Sequence, residues 1–306
     1  MTREAPRSEE AGVSGAPAGL ASGRAMVITS QAAGQAAGEN FPVALRLLPR
    51  RYRQHLAAVY GFARSADDMG DKAPVADRLA LLDELEADLA RLYRPEPGSD
   101  GPRLPVVAAL APAVVQCAIP EQPFLDLIQA NRQDQAVTRY ESFAGLLGYC
   151  ELSANPVGEL VLRVLDAATP ERIALSDRVC TGLQLVEHLQ DVGEDAERGR
   201  VYLPAEDLRR FECTVDDLLA ERAAPRLRAL VRYEATRIRP LLDAGTPLAA
   251  SLPGRFRVAV AGFAAGGHAA LDAVVDADGD VLGVRCRPRP DRVMTRLASL
   301  LRSRAA

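Results

Sequence analysis

Residues 184–204 read QLVEHLQDVGEDAERGRVYLP, and the spacing of their carboxylates is suited to chemistry. On a helix of 3.6 residues per turn, Gln184, His188, Asp191 and Asp195 share one face. Glu187 lies beside them and Glu194 borders the same face. Arg198, Arg200 and Tyr202 follow directly, where Gly199 and Pro204 must end the helix. Residues 60–71, YGFARSADDMGD, repeat the design: Tyr60, Arg64, Asp67 and Asp71 step by four, three and four, and Asp68 extends the cluster.

One acidic helix face is more often a solvated surface than a site. Two of the same design, facing each other across a helical bundle, would aim two carboxylate clusters into one cavity. At an effective dielectric near 20, two like charges about 4 Å apart repel by roughly 4 kcal/mol. Bound divalent cations remove that cost. Hard oxygen ligands suit Mg²⁺, which is usually shared between one or two carboxylates and substrate phosphates. The two faces therefore predict a Mg²⁺–diphosphate site. Two other classes stay open at this point: a non-catalytic helical protein with solvated acidic faces, and a membrane-associated helical scaffold.

Other chemistries lack their residues. The histidines are His55, His188 and His268, and none follows a Glu by three positions, as a di-iron carboxylate bundle requires. The segment 276–280, DADGD, has its glycine at the wrong place for a calcium loop and Arg287 where the closing Glu belongs, so it reads as a turn. No GxGxxG fingerprint occurs. The formal net charge of −4 argues against a nucleic-acid partner. Five scattered cysteines without a CxxC pair indicate reduced thiols and a cytoplasmic protein.

The elements that must position these faces are helices. The 306 residues are 48% hydrophobic and 25% charged, enough for one large core. Apolar residues recur at three and four, which predicts an all-α fold with helices over 49–71, 75–93, 105–118, 121–133, 142–165, 170–196, 224–242, 254–275 and 291–302. Pro156 should kink the fifth of these near Asn155. Residues 1–38, rich in Ala, Gly and Ser, read as a disordered tail. The most apolar segment, 256–275, is interrupted by Arg257, His268 and Asp272. Its small residues Ala261, Gly262, Ala265 and Gly266 suit close helix packing in a core. The C-terminal end carries Arg285, Arg287, Arg289, Arg292 and Arg296, with Val293, Met294, Leu297, Leu300 and Leu301 on one helical face. That face either docks on the bundle or rests on an anionic membrane.

DDMGD at 67–71 and DVGED at 191–195 resemble the paired aspartate-rich motifs of the squalene/phytoene synthase family. The resemblance continues through Gln184 into GRVYLP at 199–204, and takes in GYC at 148–150 and SANPVGEL at 153–160. The opening ENFPVALRLLP, 39–49, is most similar to the hydroxysqualene synthase branch of the hopanoid pathway. In all, the resemblance covers about residues 38–300.

It implies a catalytic domain over 39–306 with an isoprenoid-synthase-like bundle and a deep central cavity. The reaction implied is Mg²⁺-dependent ionisation of a prenyl diphosphate followed by carbocation rearrangement. In the hydroxysqualene branch, presqualene diphosphate becomes hydroxysqualene, with diphosphate released. The alternative within the family is head-to-head condensation to presqualene diphosphate, squalene or phytoene. The resemblance assigns metal binding to Asp67, Asp71, Asp191 and Asp195, helped by Asp68 and Glu194. It assigns diphosphate contact to Arg64, Arg200 and Tyr202, and cavity positions to Tyr60, Tyr149 and Gln184. Tyr149 and Glu187 are the candidates for holding the water that captures the cation. Other enzymes of the squalene pathway, upstream and downstream, and the inner face of the membrane are the partners such a protein would have.

Two departures from the family pattern point away from ordinary two-substrate condensation. Glu187 stands where the family often has Asn, four residues before the second motif's first Asp. Residues 38–41, GENF, replace the Ser-x-Ser-Phe common in farnesyl-condensing members.

Overall fold

The computed structural model describes residues 48–303, apart from 96, 97 and 99. The tail expected over 1–38 and most of the opening stretch 39–49 lie outside the described residues. Every regular element described is a helix, and a single isolated bridge joins Arg139 to Val201. The chain begins with α1 (Arg50–Asp71), a 3₁₀ turn (Val75–Asp77), α2 (Arg78–Tyr93), α3 (Pro105–Cys117) and α4 (Gln122–Gln133). It continues through α5 (Phe143–Ser153), α6 (Asn155–Val164), α7 (Pro170–Gln190), α8 (Val192–Glu197), α9 (Ala205–Arg210) and α10 (Val215–Leu218). It ends with α11 (Pro225–Asp243), α12 (Gly245–Ala250), α13 (Gly254–Asp276) and α14 (Pro290–Arg302).

Apolar spacing accounts for the long helices. Helix α1 buries Leu56, Val59, Phe62, Ala66 and Met69, a stripe stepping by three and four. Phe62 meets Phe124 of α4 edge-on, with ring centroids 4.9 Å apart. Ser142 caps α5 by accepting from the Gly145 N–H at 3.2 Å. Thr169 caps α7 by accepting from the Arg172 N–H at 3.3 Å, with Pro170 in its first turn.

Helix α13 packs against α7, α11, α12 and α14. By length and composition it could cross a membrane, yet Ala261, Ala264, Ala265 and Leu271 are fully buried within the bundle. Its close contact falls at Gly267 rather than at Gly266: a Cβ on Gly267 would stand 2.5 Å from Leu183 Cδ2, whereas Gly266 faces open space.

Two expected helix bounds need correction. The helix expected over 142–165 divides at Ala154, and Pro156, which lacks an N–H for the ladder, sits in the first turn of α6. The helix expected over 170–196 divides at Asp191, whose φ of −104° and ψ of 13° depart from helical values. The Asp191 N–H still bonds the Glu187 carbonyl at 2.9 Å, and its own carbonyl accepts from Asp195 N–H at 2.8 Å, so α8 starts afresh from the same residue. Of the two readings of the C-terminal helix, the structure shows the docked one: α14 lies on the bundle. Val293, Leu297 and Leu301 pack on the core and Leu300 is buried. Its arginines are engaged, Arg296 with Asp272 at 2.7 Å, Arg289 with Asp291 at 3.1 Å and Arg292 with Asp276 at 3.6 Å.

Candidate active site

Helices α1, α4, α5, α7 and α8 meet around a cavity of about 940 Å³. From α1 it receives Arg64, Asp67, Asp68 and Asp71, and from α7 Gln184, Glu187 and His188. Asp191, Asp195, Arg200, Tyr202 and Tyr149 complete the expected residues in its wall. Two expected residues are not in that wall. Tyr60 lies three turns before Asp71, about 16 Å along the helix axis, beyond the residues that line the cavity. Glu194 is exposed and lines a second cavity together with Asp191, Gln190 and Arg285.

The loop after α8 is fastened in place by the backbone. Gly199 has a φ of 79°, a left-handed conformation that only glycine adopts without strain. Beyond it, Val201 N–H bonds the Thr138 carbonyl at 2.8 Å and Ala205 N–H bonds the Tyr140 carbonyl at 2.9 Å. These bonds set Arg200 and Tyr202 against the cavity. The Arg200 guanidinium donates to Asp71 at 2.8 Å, and neighbouring carboxylates outweigh its partial burial and hold it firmly charged.

The acidic groups feel one another across the cavity. Burial pushes the Asp67 carboxyl up to about 6 despite a hydrogen bond from Asn131, and Asp71 adds to the effect. Asp195 is pushed up to about 7, by burial first and Asp191 second. Glu187 is raised by burial and then by Asp191 and by Asp67 of the other motif. Asp191 is raised by burial and by Glu194. Asp68 differs: its carboxylate already pairs with Arg64 at 3.1 Å and Lys72 at 2.8 Å.

An aromatic wall adjoins the acids. Tyr202 stacks on His188 with centroids 3.8 Å apart and planes 13° apart. Tyr149 and Tyr140 extend the group, 5.7 and 6.0 Å from Tyr202. Burial lowers His188 to about 3, so the imidazole is neutral at pH 7 and its 4.0 Å approach to Asp195 carries no ion pair. The Gln184 amide lies 3.3 Å from His188 Nε2.

Sequence reasoning missed two residues here. Asp134 accepts from the Tyr149 hydroxyl at 2.8 Å and from the Tyr202 hydroxyl at 3.5 Å. Asn131 donates to Asp67 at 3.2 Å. The available signal was the polar run NRQDQ, 131–135, closing a helix whose earlier turns hold Phe124, Leu127 and Ile128.

Among the described residues, no three His, Cys, Asp or Glu side chains approach closely enough to hold a metal ion unaided. The donor set still fits Mg²⁺. Its oxygens are hard, and carboxylates of both motifs line one cavity. Mg²⁺ keeps several waters and takes substrate phosphates as ligands, so it does not require a closed protein cage.

The chain is similar to known proteins. The family model described as "Squalene/phytoene synthase" matches residues 35–295. A hydroxysqualene synthase of Rhodopseudomonas palustris is 37% identical, over 70% of this chain and 71% of its own length. A presqualene diphosphate synthase of the same organism is 34% identical, over 66% of this chain and 74% of its own. Among solved structures, squalene synthase HpnC from Alicyclobacillus acidocaldarius superposes with a TM-score of 0.74 at 36% identity, covering 85% of this chain and 96% of that one. A dehydrosqualene synthase in complex with ligand gives 0.75 at 24% identity, over 92% and 98%, a likeness of fold. The bundle is thus of the isoprenoid synthase type.

Proposed function

Since this chain belongs to the squalene/phytoene synthase family, enzymes of the prenyltransferase type, we propose that it converts presqualene diphosphate to hydroxysqualene and releases diphosphate. One observation carries the proposal: a single cavity joins carboxylates of both motifs and Arg200 to an aromatic wall. The similarity to hydroxysqualene synthases supports the choice of substrate.

Asp67, Asp71, Asp191 and Asp195 would hold Mg²⁺. Bound there, it supplies positive charge that stabilises the leaving diphosphate. Arg200 presents a planar guanidinium to the same diphosphate, a geometry suited to phosphate oxygens, once Asp71 no longer occupies it. The faces of Tyr149 and Tyr202 attract the carbocation left behind through their ring quadrupoles. Neutral His188 adds no competing charge to that wall. Water captures the rearranged cation, so no hydride donor is needed. Asp68, paired with Arg64 and Lys72, orders the end of α1 as much as it offers an oxygen.

The test is incubation with presqualene diphosphate and Mg²⁺, without nicotinamide, followed by mass spectrometry of the extracted lipid. Hydroxysqualene is the expected product. A protein that ignores presqualene diphosphate, and makes presqualene diphosphate or phytoene from a linear prenyl diphosphate, is a condensing enzyme instead.

A further inference from the structure

Asp134 belongs to neither aspartate-rich motif, yet two of the cavity's tyrosines point their hydroxyls at it. It follows α4 directly, and its two oxygens are divided: one accepts from Tyr149 at 2.8 Å, the other from Tyr202 at 3.5 Å. Tyr202 is fixed by its stack on His188, and Tyr149 is 5% exposed. A phenol has one proton. Tyr149 gives that proton to Asp134, so its oxygen can only accept, from the neighbouring Tyr202 hydroxyl or from a group inside the cavity. Arg200, a cation that acts on Asp134 at a distance, has its own hydrogen bond to Asp71.

We propose that Asp134 is a positioning residue and proton acceptor behind Tyr149, serving the water that captures the rearranged cation. The inference rests on the hydroxysqualene reading above. In the step, a lone pair of the water oxygen forms the new C–O bond to a ring carbon of the cyclopropylcarbinyl cation, the bond from that carbon to its ring neighbour breaks, and the released pair forms a C=C to the former cationic carbon. The resulting oxonium passes one proton to the Tyr149 oxygen while the Tyr149 hydroxyl proton passes to the Asp134 carboxylate. The cationic charge thus ends as a proton on Asp134, which solvent removes after turnover; nothing is oxidised or reduced. Two features suit the pair to this role. Burial raises the Asp134 carboxyl to about 6, close to the working pH where a general base is effective. Burial also raises the Tyr149 phenol far above its ordinary value, which keeps it protonated as a relay must be.

The experiment uses the full chain with Mg²⁺ and presqualene diphosphate. Asp134→Asn keeps the shape and removes the proton acceptor. It should lower kcat about 10²-fold, the scale of general-base catalysis, while KM and the melting temperature stay near the wild-type values. Tyr149→Phe should do the same, and the double variant should be no slower than either single one, as expected of two parts of one relay. The share of alcohol should fall relative to unsaturated hydrocarbon, formed when the cation loses a C–H proton instead. A wild-type kcat and alcohol share in Asp134→Asn overturns the relay. If that variant does not fold, Tyr149→Phe decides alone, and unchanged kcat and products overturn it equally. A wild-type protein that forms no alcohol from presqualene diphosphate overturns the functional reading and the relay with it. Alcohol from the wild type with an indifferent Asp134→Asn overturns the relay only.

Discussion

The Arg200 guanidinium donates to the Asp71 carboxylate at 2.8 Å, joining the loop after α8 to the last residue of α1. Two residues 129 positions apart thereby bring the end of the second motif's loop onto the first motif. A diphosphate entering the cavity would compete with Asp71 for this guanidinium, while a metal would compete with Arg200 for Asp71. Each incoming group relieves the partner the other one leaves.

Replacing Arg200 with Lys keeps the charge and removes the planar fork. Arg200→Lys should weaken binding of inorganic diphosphate in the presence of Mg²⁺ about tenfold, roughly 1.4 kcal/mol, with the helical circular dichroism unchanged. Calorimetric titration reads the affinity, and a wild-type constant would remove Arg200 from diphosphate binding.

Metal binding should be linked to pH. Asp67 and Asp195 hold protons up to about 6 and about 7, against 3.8 for an ordinary Asp. A carboxyl whose folded-state pKa is raised favours the fold in acid, and that contribution is lost as pH rises from 3.8 to about 7. Mg²⁺ and protons compete for the same oxygens. Added Mg²⁺ should therefore raise the melting temperature more at about pH 8 than at about pH 5. Equal increments at both values would place the metal elsewhere.

The glycine inside the first motif is a packing requirement. A Cβ on Gly70 would stand 2.5 Å from Asn131 Oδ1, and Asn131 is the residue that bonds Asp67. Gly70→Ala should cost about 1–3 kcal/mol, the range for overpacking, and should weaken Mg²⁺ binding by displacing Asn131. Gly148→Ala is the control, because a Cβ there meets nothing within 4 Å. Thermal melts of the two variants that coincide would refute the packing argument.

Asp272 knots three helices together. It accepts from Arg239 of α11 at 3.2 Å and from Arg296 of α14 at 2.7 Å. Burial raises its pKa, but the hydrogen bonds and charges of Arg296 and Arg239 outweigh that and hold it below 3.8. Its contribution to stability is complete above 3.8 and is lost as pH falls through the depressed value. Asp272→Asn should lose roughly 1.5–3 kcal/mol at neutral pH, the range for hydrogen bonds to charged groups. The difference from wild type should narrow in acid. Urea unfolding at both pH values checks the sign.

The long helices were legible because each carries several turns of apolar spacing; α1, with its stripe from Leu56 to Met69, is the clearest case. The paired aspartates were legible for the same reason, since a repeated pattern on two helices is hard to produce by chance. Helices α9, α10 and α12 were not, because six residues or fewer cannot display a period. Asp134 escaped because a single carboxylate at a helix end has no periodic partner, and its importance lies in two tyrosines distant in sequence. Glu194 stays beside Asp191 but lines the neighbouring cavity, a distinction of three residues that spacing alone does not make. Tyr60 shares the direction of Asp67 around the helix, but periodicity says nothing about how far along the axis a cavity extends.

Helix α14 closes the bundle through bonds that run both ways: Asp272 of α13 accepts from Arg296, and Arg257 of α13 donates to the Leu301 carbonyl at 2.8 Å. For recombination between members of the family, this makes residues 254–303 one exchangeable block. A crossover between α13 and α14 would join a carboxylate from one parent to whatever stands opposite it in the other. A crossover before Gly254 transfers both halves of the α13–α14 contacts together and parts only the longer 3.2 Å bond from Arg239 to Asp272, so chimeras cut there should melt higher than those cut near residue 285.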